Sequence, residues 1–384
     1  MKEVKDSKDG SKNIFLLGSA SLFNDIGSEA ITPLIPFYTT ALGGAGVAIG
    51  LISGLREGLA SLFGLLGGWL SDRFGQRKFF VFLGYLISSI FKFFIAAANS
   101  WQSLTAFVGF ERFGKSRDAP RDVIISNSTK RKGHGFGFHE MMDRAGAIIG
   151  TLMVVFLFWK LQLGIKPILY IAAGIAALSI IPVFFVKDKK TKKIKKNLFR
   201  GIRELNPKLK YFIFVSSIFT LGNFGLYLFL LLRAQQISGN IVVPLIIYAI
   251  FNLVYAFFVT PFGSLSDRIG RKKVLTAGYI LFFFIAISFI FVNNIFLLAV
   301  LFSLYGLVYA LTDSSQTALV SDLSGDMKGT ALGFYGFVTG LVNIFAGLIA
   351  GFLWDISYST MFIYLSVVAF ISIILIMFVK KSKV

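Results

Sequence analysis

From residue 13 onward the chain alternates long apolar runs with short polar punctuation. Each run is long enough for a helix to cross a bilayer, which needs about 20 residues. The runs predict helices over 13–41, 46–71, 78–98, 102–127, 134–158 and 165–187, then over 209–234, 240–264, 273–292, 295–322, 329–354 and 358–379. The expectation is therefore an all-α membrane protein of twelve transmembrane helices.

The loops carry a second pattern. "RFGQRK", "TKRKGHG", "KDKKTKKIKK", "DRIGRKK", "GDMKG" and the terminal "KKSKV" all fall on one side under this count, while "LGGAG", "NS", "SGN" and "VNN" fall on the other with almost no charge. Basic loops stay cytoplasmic, so both termini are expected there, in a multi-pass protein of the cell membrane. A missed span would invert every later loop, so the agreement also checks the count. The N-terminal "MKEVKDSKDGSK" leads into the first run without a small-residue cleavage site and reads as a retained first helix rather than a signal peptide.

Composition agrees. With 55% hydrophobic residues, 44 Phe in 384 and a mean hydropathy of +0.75, the apolar surface exceeds what a soluble core of this size can hide. The 39 Lys+Arg against 19 Asp+Glu would suggest nucleic acid in a soluble protein, but the excess lies in the short loops and acts as an orientation signal, so no nucleic-acid partner is expected. The chain has no cysteine, which excludes disulfides and Cys-based metal or redox sites. No phosphate-binding loop, dinucleotide fingerprint, catalytic triad or metal-ligand spacing appears, so neither a cofactor nor a metal is expected.

The chain also repeats itself. "GWLSDRFGQRK" at Gly68 recurs as "GSLSDRIGRKK" at Gly263, and "DAPRDVIIS" at Asp118 maps onto "DSSQTALVS" at Asp313 with the same offset, 267 − 72 = 195. Two parallel six-helix copies follow: residues 1–187 and 209–384, joined by a basic cytoplasmic linker, 188–208.

The GxxxDRxGxRK loop, present twice in a duplicated twelve-span chain, resembles the signature of the major facilitator superfamily of secondary transporters. Three further stretches, "FNDIGSEAITPLIPFY", "RFGKSRDAPRDVIIS" and "GFGFHEMMDRAGAIIGT", are similar to prokaryotic members described as permeases or drug exporters. The resemblance implies two pseudo-symmetric six-helix bundles and a monomer. It also implies that Asp72, Arg73 and Arg77, with Asp267, Arg268 and Arg271, form cytoplasmic latches between the halves. Physically, Gly68 and Gly263 are expected at close helix approaches, Asp72 and Asp267 as caps or ion-pair partners, and Gly75 and Gly270 at sharp turns. The superfamily's fourth-span arginine corresponds to Arg112. Of the fifth-span antiporter signature, Gly146 and Gly150 are present and Thr151 stands in place of proline.

Charges at membrane depth carry the candidate chemistry, since each costs roughly 3 kcal/mol or more at the bilayer centre unless it pairs or lines water. The set is Asp25 and Glu29 on span 1, Arg56 and Glu57 on span 2, Glu111, Arg112, Lys115, Arg117, Asp118, Arg121 and Asp122 on span 4, and Glu140, Asp143 and Arg144 on span 5. In sequence all belong to the first half. The second half offers Asn223, Asn252, Gln316 and Asn343, with Asp313 as the counterpart of Asp118; Asn24 is a further polar candidate on span 1. The division suggests ion coupling in the first half, shape and aromatic surface in the second. Desolvation favours a neutral acid and a nearby guanidinium favours the carboxylate, so an Arg that moves relative to an acid switches a proton on and off; Asp25 or Glu29 with Arg56 or Arg144 could form such a switch. A static salt-bridge network is the alternative. Pro33 and Pro36 are expected to bend the outer half of span 1. Lys92, Lys160 and Arg233 are expected to snorkel from outer helix ends, and His134 and His139 have no metal-ligand company.

The reading is a secondary active transporter of a small molecule, with protons as coupling ion and export by antiport favoured. Proton-coupled uptake of a small organic anion or nutrient is the alternative. A membrane-embedded transferase, or a receptor on a transporter scaffold, would leave the duplicated latch loops unexplained.

Overall fold

A computed structural model describes residues 8–129, 132–188 and 203–379. The stretches 1–7, 130–131, 189–202 and 380–384, which contain most of the expected linker 188–208 and the terminal "KKSKV", lie outside the described residues.

Among the described residues every regular element is helical, and the helices group into twelve spans within a few residues of the apolar runs. Eight are single helices: span 2 (Gly46–Phe74), span 3 (Arg77–Ala97), span 5 (Lys132–Trp159), span 8 (Val242–Ile269), span 9 (Arg271–Phe291), span 10 (Ile295–Leu323), span 11 (Lys328–Ile356) and span 12 (Tyr358–Met377). Four are interrupted. Span 1 runs Lys8–Ile31, tightens into a 3-10 turn over Thr32–Leu34, and resumes as Ile35–Ala41. Pro33 and Pro36 each lack the N–H that would continue the ladder, and the α-helix is interrupted there by the 3-10 turn. Span 4 consists of Trp101–Glu111, a 3-10 segment Arg112–Arg117, and Asp118–Ser128. Span 6 is Ile165–Ala177 followed by Ile180–Phe185, and span 7 is Pro207–Gly222 followed by Tyr227–Ser238. Ten spans are long and apolar enough to cross a membrane by themselves. Spans 1 and 4, charged and broken by 3-10 turns, are the other two.

Residues 1–42 and 59–197 pack as one unit, residues 43–58 and 198–384 as a second. The dividing line falls inside the continuous helix of span 2, whereas the sequence places a boundary only at the linker.

In the first unit, Ile14, Leu17, Val81, Tyr85, Ile124, Ile125 and Val183 form a buried cluster joining spans 1, 3, 4 and 6. Spans 1 and 5 pack in parallel through small residues: Gly18 faces Phe138 and Met142, Gly146 faces Leu22 and Asp25, and Gly150 faces Ile26. In the second unit, Phe219 of span 7 stacks on Tyr279 of span 9 with centroids 3.7 Å apart, and Phe251 of span 8 lies 5.7 Å from Tyr305 of span 10. The first part of span 2 lies against span 11: Cβ atoms placed on Gly46, Gly50, Gly54 and Gly58 would run into Gly351, Gly347, Asn343 and Gly340. With no side chains between them, these backbones meet directly, as small residues permit in a membrane.

The duplicated loop makes the same hydrogen-bonded turn twice, with one residue fewer between the helices in the second copy. The N–H of Gly75 donates to the Ser71 carbonyl at 2.8 Å and that of Gly270 to Ser266 at 3.1 Å. The Ser71 and Ser266 hydroxyls donate in turn to the carbonyls of Gly68 and Gly263, at 2.9 and 2.7 Å. Gly75 (φ 68°) and Gly270 (φ 100°) both sit in the left-handed region that ends a helix, where a side chain costs about 1 kcal/mol or more.

Candidate functional site: polar side chains at the helix breaks

Part of the polar set lies where the helices break, and the rest lies on the unbroken spans 2, 5, 8, 10 and 11. Asp25 and Glu29 precede the 3-10 turn of span 1 by one to two turns. On span 4, Glu111 ends the first helix, Arg112, Lys115 and Arg117 occupy the 3-10 segment, and Asp118 begins the second helix. Asn223 stands at the interruption of span 7. Irregular backbone at membrane depth is tolerated where protein or a water-filled cavity satisfies it, and tight 3-10 stretches inside helices mark hinges.

Lys92 corrects an expectation. It does not snorkel: the side chain is buried, 1% exposed, because it shares the inward face of span 3 with Val81, Tyr85 and Ser88 at helical spacing. Its ammonium donates to Asn24 Oδ1 at 2.9 Å and Ser88 Oγ at 2.6 Å, and lies 3.3 Å from Glu111 Oε1. The Ser88 hydroxyl also donates to Glu111, at 2.6 Å. Arg112 pairs with the same carboxylate. Two cations therefore share one anion in a site closed to solvent, and the cluster binds spans 1, 3 and 4. Asn24 completes it by donating to Asp25 at 3.0 Å.

Farther along span 4, Asp118 is ringed by Lys115 at 3.6 Å, Arg121 at 3.2 Å and Arg117 at 3.9 Å. Arg121 also holds Asp122 at 3.0 Å, and Arg117 lies over the Tyr85 ring, 4.4 Å from its centroid. On span 5, His139 Nδ1 is 3.5 Å from Asp143, and Arg144 pairs with Glu140 of its own helix at 2.7 Å. Asp25 packs on Gly146, one turn beyond Asp143, so the two carboxylates lie within electrostatic reach of each other across spans 1 and 5. Glu29 is half-buried on the same helix as Asp25.

Arg56 and Glu57, which in sequence belong with the first half, pack in the second unit. Arg56 is buried, and Glu57 accepts from the Tyr227 hydroxyl at 3.1 Å. The polar candidates of the second unit are held mainly by tyrosines. Asn223 accepts from Tyr305 at 2.7 Å, Asp313 from Tyr255 at 2.8 Å, and Gln316 bridges Tyr279 and Tyr335 at 3.1 and 2.9 Å. Asn252 is half-buried beside Phe251, and Asn343 lends its backbone to the approach of Gly54. None of these tyrosines was singled out by sequence; the run "LGNFG", with Gly222, Asn223 and Gly225, was the available sign of a broken span 7.

In the repeated loops, Asp72 pairs with Arg77 at 3.7 Å and Asp267 with Arg271 at 3.4 Å. The offset maps Arg77 onto position 272 (77 + 195), so the second loop closes its pair one residue early. Arg271 also holds Asp322 of span 10. Arg73 lies over the Trp69 ring at 5.1 Å, and Arg268 is exposed. The expected close approach is met at Gly68, where a Cβ would come 3.0 Å from Ala119. At Gly263 a Cβ would find only an ordinary contact, 3.6 Å from Ser314, so that expectation is corrected.

Comparison with known proteins agrees with this architecture. The family model described as Major Facilitator Superfamily matches residues 17–240 and 212–384. An uncharacterized MFS-type transporter of Methanocaldococcus jannaschii is 44% identical over 388 residues, covering 98% of this chain and 97% of that protein. Multidrug resistance protein MdtG of Serratia proteamaculans is 25% identical, over 83% of this chain and 81% of its own. Among solved structures, the nucleoside transporter NupG superposes with a TM-score of 0.77 over 96% of this chain and 99% of its own, at 15% identity. A bacterial homologue of the human lysosomal transporter Spinster gives 0.78 over 97% of each chain, also at 15%. At such identity these structural likenesses carry the fold alone.

Proposed function

Because the chain belongs to the major facilitator superfamily, we propose that it exports a small amphipathic or cationic compound in exchange for protons, by alternating access. The two six-helix copies, 1–187 and 209–384, with the basic linker 188–208 between them in sequence, give the substrate access to one side of the membrane at a time. The protein works as a monomer in the cell membrane with both termini on the cytoplasmic side, where the basic loops collect.

The observation that carries the coupling is the pair Asp25 and Asp143. Two carboxylates within reach of each other, on parallel helices packed through glycine, place like charges together in a low-dielectric setting. Their neighbours flank helix breaks: span 1 tightens just beyond Glu29, and on span 4 Arg117, the last residue of the 3-10 segment, and Arg121 of the following helix both reach Asp118. A swing of span 4 would change the positive field at the acid pair and so couple proton release or uptake to the transport step. The duplicated loops, with Asp72–Arg77 and Asp267–Arg271, act as the cytoplasmic latches of that swing. Export is favoured over uptake by the similarity to proteins named for multidrug resistance.

A second reading, proton-coupled uptake of an organic anion, is favoured by one feature: Lys92 and Arg112 share the single carboxylate of Glu111 and leave a buried positive excess. Proteoliposomes containing a pH-reporting dye, run over a compound panel, separate the two. Acidification of the lumen as the compound leaves supports export by antiport; co-movement of compound and proton supports uptake and overturns the export reading.

A further inference from the structure

Span 7 is interrupted over residues 223–226, and the interruption opens onto an aromatic wall. Tyr305 OH donates to Asn223 at the break, and the Tyr305 ring lies 5.2 Å from Tyr309 and 5.7 Å from Phe251. Phe251 continues to Tyr248 at 5.8 Å, and Tyr248 to Tyr227 at 5.9 Å. Tyr227 begins the second half-helix and donates to Glu57. Tyr305, Tyr248 and Phe251 are buried and form a floor; Tyr309 and Glu57 stand half-exposed at its edge.

We propose that the break in span 7, with Glu57 and this tyrosine wall, seats the cationic group of the transported compound, an organic ammonium or phosphonium with an apolar body. Three features of one sign converge there. The carboxylate is held in place by a phenol. The helix Pro207–Gly222 ends at the break with its negative dipole end, and the ring faces attract cations by their quadrupoles. The ring faces favour an organic cation with an apolar body. The assignment rests on the export reading but uses no residue of its proton pair.

The test is binding of radiolabelled tetraphenylphosphonium to the purified full-length protein in detergent at neutral pH, with neutral triphenylphosphine oxide as competitor. Wild type binds the cation saturably and the phosphine oxide competes poorly. Glu57→Gln and Tyr309→Ala each weaken binding roughly tenfold. Tyr227→Phe weakens it by about threefold, through loss of the bond that orients Glu57. Tyr211→Phe, whose hydroxyl binds the Leu375 carbonyl away from this wall, leaves it unchanged. Each variant is first checked for a monodisperse elution profile. Wild type without saturable binding, a near-isosteric Glu57→Gln that binds like wild type, or equal competition by the neutral compound overturns the assignment. Phosphonium binding that depends on Glu57 without any proton movement strikes the coupling reading and leaves this site standing.

Discussion

Replacing Glu111 by Gln is expected to be far more damaging than replacing Lys92 by Met, although the two form one ion pair. The reason is the count of charges: Lys92 and Arg112 both lean on the Glu111 carboxylate, so removing the acid leaves two buried cations facing each other. At 3.3 Å the Lys92–Glu111 attraction alone is about 5 kcal/mol at an effective dielectric of 20. Breaking a buried pair from one side costs about 3 to 5 kcal/mol. Lys92→Met instead leaves Glu111 with Arg112 and with the Ser88 hydroxyl. It forfeits the hydrogen bonds to Asn24 and Ser88, about 1 kcal/mol each, and regains most of that by removing a desolvated ammonium. The double variant should therefore be more stable than Glu111→Gln alone. The assay is thermal survival of monodisperse protein in detergent, read by size-exclusion chromatography. Equal losses for the two single variants, or a double variant worse than Glu111→Gln, would refute the shared-anion description.

Gly50→Leu should lower thermal survival, since a side chain there meets the Gly347 carbonyl and forces spans 2 and 11 apart at a cost of about 1 to 3 kcal/mol; Gly64→Leu, with open space around it, is the matched control and should be near neutral in the same assay. Gly75→Ala and Gly270→Ala should each cost about 1 kcal/mol through their positive φ, whereas Gly263→Ala should be tolerated because the new methyl meets only an ordinary contact; melting curves of the three variants check the order.

The twelve spans and the repeated loops were legible because each rests on a local rule: apolar length, basic punctuation, and a glycine where the chain must turn. Pro33 and Pro36 announced the break in span 1 for the same reason. Span 7 was read as continuous because no proline marks it; Gly222, Asn223 and Gly225 weaken a helix by propensity alone, and propensity yields to packing. Lys92 departs from the snorkelling expected of its depth because direction around the helix, not depth along it, decides its burial. Its spacing from Val81, Tyr85 and Ser88 already put it on the inward face. Glu57 and the tyrosines illustrate a different limit. Their association comes from the first part of span 2 packing in the second unit and from a contact across 170 residues of sequence, which no local pattern encodes.

Simultaneous measurement of labelled-compound exchange and luminal pH in proteoliposomes holding Asp25→Asn/Asp143→Asn tests the proton-coupling claim most directly. The double variant is expected to exchange compound across the membrane still, but no longer to acidify the lumen as compound leaves. Acidification that persists at the wild-type ratio to compound would contradict it, and would move the coupling proton away from spans 1 and 5.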